Sequence, residues 1–103
     1  MHFIYIIFSE GLNRYYIGET EDISTRMAQH NSGFFNKSST SIANDWKLLK
    51  SFTVNNRIEG RKVETYIKSM KSKIFLNKLI DNAEFYLKFK DLVKEKFEVI
   101  IQD

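Results

Sequence analysis

The chain's 103 residues, 43% of them apolar, suit one domain with a single core and leave too little for two. Cysteine is absent, which excludes disulfides, a thiolate zinc site and a thiol nucleophile, and two histidines are too few for a zinc hydrolase. The net charge of +3 hides uneven blocks: nine basic residues between Lys47 and Lys78 stand against Glu59 and Glu64, and this fits a polyanionic partner as well as a solvated helix face.

The longest apolar run falls far short of the ~20 residues of a membrane helix, and the N-terminus shows neither the basic region nor the cleavage site of a secretory signal. The expectation is a soluble cytoplasmic protein with no membrane partner. No proline and only four glycines interrupt the chain, so no linker or repeat marks a boundary.

"HFIYIIF" is continuously apolar and rich in β-branched and aromatic residues, which predicts a strand covered on both faces; "RYYIGE" predicts a second. "SEGLN" between them holds Gly11 and Asn13, residues that tolerate a hairpin's positive φ. Thr20 and Asp22 can cap a helix ending near His30, with Ile23, Met27 and Ala28 on its buried side. "NSGFFNKSSTSIAND" reads as a loop whose two phenylalanines either tuck against the core or stay mobile, and "WKLLKSFTV" as a third strand anchored by Trp46.

Asn56 and Glu59 resemble a capping box before a helix carrying Val63, Tyr66, Ile67 and Met70. "KIFLNKLI" predicts a third helix, and Phe85, Phe89, Leu92 and Val93 a fourth, although "FYLKF" also alternates like a strand.

These elements aim several polar groups at one place. Tyr5 shares a strand face with Phe3 and Ile7, and Tyr16 shares one with Gly18, whose missing side chain lets another group approach. Arg26 and His30, four apart on the first helix, form one cationic face for phosphate, opposite Ile23 and Met27.

"FIY", ten residues, "YIG" and then "ETEDISTRMAQHNSG" resemble the GIY-YIG nuclease family, and "ANDWKLL" and "GRKVETYIKSMKS" extend the likeness to its small stand-alone branch. The resemblance covers about residues 3 to 80. It implies an α/β (α+β) fold, a three-stranded antiparallel sheet flanked by helices, and hydrolysis of a DNA phosphodiester with one divalent ion, Mg or Mn, in a setting such as DNA repair or recombination. Residues 1–82 would form this domain, with 83–103 a C-terminal helical extension packed on it.

By the same resemblance Tyr5, Tyr16, Arg26 and His30 are catalytic positions and Glu64 is the metal carboxylate. Arg61, Lys68, Lys71 and Lys73 would hold the nucleic-acid backbone. Two departures stand out: Phe3 occupies the glycine of the first motif, and Glu19 the place where the excision-repair incision nucleases carry lysine.

The residue chemistry is consistent with these roles. Arg26 offers two directed N–H donors to phosphate oxygens, and one carboxylate with waters and phosphate suffices for magnesium. As a general base, Tyr5 would need Arg26 or the ion to lower a phenol pKa of ~10. Plain structural readings stand beside each role: Tyr5 and Tyr16 as packed sheet aromatics, His30 at a helix C-terminus, and Glu64 in a salt ladder with Arg61, Lys68 and Lys71. Tyr15, Tyr66 and Tyr86 keep the plain reading. The alternative function is a catalytically inactive nucleic-acid-binding module of the same fold.

Overall fold

A computed structural model describes residues 1–32 and 43–103, and the two phenylalanines of the serine-rich loop lie outside these. The described elements run β1 (His2–Ser9), β2 (Arg14–Thr20), α1 (Ile23–Asn31), β3 (Trp46–Val54), α2 (Arg57–Ser69), α3 (Lys73–Asp81) and α4 (Ala83–Phe97). The strands form one antiparallel sheet in the order β2-β1-β3, so β1 is central and its continuous apolar run is covered on both faces. No helix among the described residues is long and apolar enough to cross a membrane.

The β1–β2 turn takes its positive φ at Asn13, at 50°, and not at Gly11. Asparagine tolerates the left-handed region because its short side chain bonds locally. Asp45 ties this turn to the start of β3, accepting from Ser9 Oγ at 2.6 Å and from the Gly11 amide at 2.9 Å.

Register decides which residues meet. Tyr5 lies directly opposite Gly18, and Ile7 opposite Tyr16, so all four share one face. Between β1 and β3 the pairing shifts at Ile6/Ile7, leaving Leu49 as an extra residue. Because a slip of one residue exchanges the faces of a strand, the shift brings Trp46 onto the face of Tyr5 and Ile7. Those three form a small buried cluster against which Tyr16, Ile23 and Met27 pack.

The opposite face carries the main core, where Ile4, Ile6, Phe52 and Val54 meet Val63 and Ile67 of α2, Leu76 and Leu79 of α3, and Phe89 and Val93 of α4. Each such side chain contributes ~1.5–3 kcal/mol on full burial. "FYLKF" is helical, with Tyr86, Phe89 and Val93 facing inward at successive turns. Met70 and Leu92, expected inside, are 41% and 40% exposed, Met70 because it is the C-cap of α2.

The C-terminal extension closes the core. Val99 and Ile101 are buried, and Gln102 exchanges backbone hydrogen bonds with Thr53 on the open edge of β3, at 2.7 and 2.8 Å.

Gly18 is a close-approach glycine, because a Cβ there would overlap Oη and Cζ of Tyr5. Gly18→Ala should therefore destabilise the protein by about 1–3 kcal/mol in denaturant unfolding, the usual cost of overpacking, and should push the Tyr5 ring off His30. A variant unfolding at the wild-type midpoint would show that the ring moves at no cost.

Candidate active site

The site is assembled at the β2 side of the sheet. Tyr5 is 1% exposed, and its Oη lies 2.8 Å from His30 Nε2. The Tyr16 ring packs edge-on against His30, with centroids 5.0 Å apart, and 6.4 Å from the Tyr5 ring. Trp46 backs Tyr16 at 6.5 Å, so the tryptophan that anchors the third strand also walls the site.

α1 starts at Asp22, whose side chain accepts from the Thr25 amide at 3.1 Å, as its position before the apolar stripe predicts. Its inward face differs from expectation. Ala28 is exposed, Ile23 and Met27 are half-buried, and His30 is the one fully buried residue of the helix. Positions 23, 27 and 30 follow the i, i+4, i+7 repeat, so His30 belongs to the buried stripe and not to an opposite cationic face.

Burial also decides His30's charge. Its pKa is pushed down to about 4, by desolvation first and by the Arg26 guanidinium second. At neutral pH the imidazole is uncharged, and we assign the Tyr5 phenol as donor to Nε2. The expectation of a cationic Arg26–His30 pair is thus corrected: Arg26 alone carries the charge.

The Tyr5 phenol is also far from a base. Burial raises its pKa above the ordinary value for tyrosine, and Tyr16, Glu64 and Glu19 add to the rise. Arg26 acts in the direction expected of it, downward, but does not offset desolvation.

His30 makes stability pH-dependent. Between pH 6.5 and about 4 the unfolded chain binds a proton that the folded protein refuses, so the contribution is complete above 6.5 and is lost as pH falls through 4. Acidifying across that window should lower unfolding free energy by on the order of 2 kcal/mol. His30→Gln, whose amide oxygen can still accept from Tyr5, should remove most of the slope. Retention of the full slope in that variant would assign the titration elsewhere.

Glu64 projects from α2, whose N-cap Asn56 accepts from the Glu59 amide at 2.9 Å; Glu59 in turn accepts from Asn55, one residue earlier than a standard box. Lys68 Nζ lies 3.1 Å from Glu64 Oε1 and 5.5 Å from the Tyr16 ring centroid. Glu64 is thus drawn to the tyrosines, and its charge acts on Tyr5.

The predicted ladder does not extend further: Lys71 follows the end of α2 with φ of 47°, and Arg61 lines a separate groove with Tyr66 and Phe97. Lys73, expected at the nucleic-acid backbone, begins α3 as an exposed residue. Among the described residues no three His, Asp or Glu side chains converge as a metal cage. One partly exposed carboxylate fits a hard cation that keeps most of its ligands as water and phosphate.

Three residues escaped sequence reasoning. His2 is buried against Glu19, which Arg57 approaches at 3.7 Å, and the group lines a cleft of about 300 Å³ with Arg26, Thr25 and Gln29. The His2 ring passes so close to α2 that a Cβ on Gly60 would sit 2.9 Å from it. Asn31 fastens α1 to β3 by accepting from the Trp46 amide at 2.8 Å and donating to its carbonyl at 3.1 Å. Glu19 offered a signal, since a carboxylate between the buried positions of a strand requires a partner.

No curated protein and no solved structure matches the chain. The family model of the GIY-YIG catalytic domain matches residues 1–79, a span that runs from the first strand into α3 and includes Tyr5, Tyr16, Arg26, His30 and Glu64. With a sheet and flanking helices of the expected kind as well, the chain is a member of the GIY-YIG catalytic-domain family, a family of nucleases.

Proposed function

We propose that the protein is a metal-dependent DNA endonuclease that hydrolyses phosphodiester bonds. The observation that carries this reading is convergence on one phenol: Tyr5 on β1 touches His30 of α1, its ring neighbours Tyr16 of β2, and the charges of Arg26 and Glu64 both reach it. Residues from four elements thus act on one place, which supports its reading as a site for a scissile phosphate.

Arg26, at the lip of the cleft beside Thr25 and Gln29, holds two non-bridging oxygens with its planar fork and takes up charge as it builds there. Glu64 would hold the divalent ion, Mg or Mn, which supplies Lewis-acid polarisation of the phosphate and stabilises the departing oxygen. Lys68 shares Glu64 in the resting protein and is free to turn to DNA phosphate once that carboxylate is engaged.

Tyr16, half-buried where Tyr5 is fully buried, is the phenol that can reach an attacking water. Tyr5 and His30 act behind it: their hydrogen bond fixes the His30 ring, and that ring fixes Tyr16 by its edge. Lys71 and Lys73 add sequence-independent attraction for the DNA backbone.

A second reading, an inactive nucleic-acid-binding module, draws on the protonated Tyr5 and the Lys68–Glu64 pair, neither of which is poised for chemistry in the resting protein. Nicking of supercoiled plasmid and cleavage of branched DNA with Mg or Mn, suppressed by chelator, separates the two. Binding without cleavage under every metal would establish the module.

A further inference from the structure

A groove on the outer side of α2 lies outside the constellation described above. It is lined by Ile58, Arg61, Lys62 and Tyr66 of α2 and by Phe97 at the end of α4, with a volume of about 580 Å³, within the ~300–1,000 Å³ of small-ligand sites. Ile58 is 71% exposed at its edge. The Tyr66 and Phe97 rings meet edge-to-face at 5.5 Å, and Lys96 Nζ stands 5.3 Å from the Tyr66 centroid and 6.0 Å from that of Phe97. Three cations therefore surround an aromatic floor, and among the described residues lining it there is no carboxylate.

An apolar floor whose charged neighbours are all cations complements a planar ring carried on a phosphate backbone, since every nucleobase has a face to stack and each phosphate a charge to neutralise. A neutral apolar partner would leave Arg61, Lys62 and Lys96 facing no charge of opposite sign. The groove lies on the same helix as the carboxylate: Arg61, in its lining, precedes Glu64 by three residues and is its neighbour on the helix surface. A strand cut at Glu64 would pass it within a few nucleotides.

We propose that this groove is a second nucleic-acid subsite, which takes an unpaired base of the substrate strand, so that the preferred DNA carries a single-stranded segment beside the cut. The proposal rests on the endonuclease reading for its purpose but not for its measurement. Lys96 swings off Tyr66 to the phosphate as the base enters, and the aromatic pair supplies stacking that is indifferent to sequence.

The test uses the full chain, a fluorescent oligothymidylate and chelator, so that binding is read without cleavage. Tyr66→Leu with Phe97→Leu keeps both positions apolar and removes both rings, and should weaken binding roughly ten- to a hundredfold. Should that variant fold poorly, Arg61→Ala with Lys62→Ala alters only exposed side chains and should weaken binding and flatten the salt dependence. A 5-iodouracil oligonucleotide should cross-link at Tyr66 or Phe97.

Unchanged affinity in both variants, or cross-links confined to the Arg26 cleft, would overturn the subsite while leaving metal-dependent nicking intact. Concentration-dependent association abolished by Ile58→Asp would overturn it in favour of a second copy of the chain. Loss of oligothymidylate binding in the ring variant of a protein that never nicks DNA would keep the subsite and remove the endonuclease.

Discussion

Glu64→Gln should lower DNA cleavage about a thousandfold while leaving the fold nearly untouched. The substitution keeps the shape of the side chain and an oxygen for Lys68, and it removes the charge proposed to hold the hard cation. A lost ion forfeits several kcal/mol of charge stabilisation on the phosphate, and each 1.4 kcal/mol is about tenfold in rate. The i,i+4 pair with Lys68 is worth only ~0.3–0.5 kcal/mol, so the metal-free unfolding midpoint should barely move.

Titration with magnesium separates the roles further. If Glu64 holds the ion, the variant needs far more metal for whatever activity it retains. If Glu64 served only to anchor Lys68, the variant would cleave at the ordinary rate, with the ordinary metal dependence, and show a small stability change that salt erases. That outcome would return Glu64 to its plain structural reading.

The scaffold was legible in the sequence because its signals are local. Apolar runs bounded by turn residues set the strands, and Asp22 and Asn56, both read as caps, each cap the helix that follows by accepting a backbone N–H, as Ser72 and Asn82 do for the last two helices. The pairing of Tyr5 with Gly18 was also accessible, since strand parity and a missing side chain point to one face.

What was not legible depends on partners far apart in sequence. His30 reads as a surface residue until Tyr5, 25 positions earlier, provides the hydroxyl that makes its burial tolerable. The slip at Ile6/Ile7 that turns Trp46 to the site face leaves no mark in residue types. Electrostatics was misjudged for the same reason: Arg26 was correctly placed to lower the pKa of Tyr5, but the opposing effect of desolvation requires knowing that the phenol is 1% exposed.

Arg26→Lys should reduce turnover about a hundredfold while DNA affinity changes much less. Lysine preserves the positive charge at the lip of the cleft but replaces a planar fork with a single ammonium, so two phosphate oxygens are no longer held together as charge develops. Removal of one preorganised donor typically costs 10²–10³ in rate. Two further observations separate chemistry from positioning. The Arg26 cation is one of the causes that depress the His30 pKa. Arg26→Met should therefore let that pKa rise, so that the acid-induced loss of stability becomes smaller and is complete at a higher pH, whereas Arg26→Lys should leave the pH profile of stability near that of wild type. A lysine variant with a normal stability profile and a hundredfold lower kcat would assign the loss to phosphate-fork geometry rather than to disturbance of the His30 and Tyr5 pair. Wild-type turnover in that variant would remove Arg26 from the chemistry, and an equal fall in binding and cleavage would make it a backbone contact only.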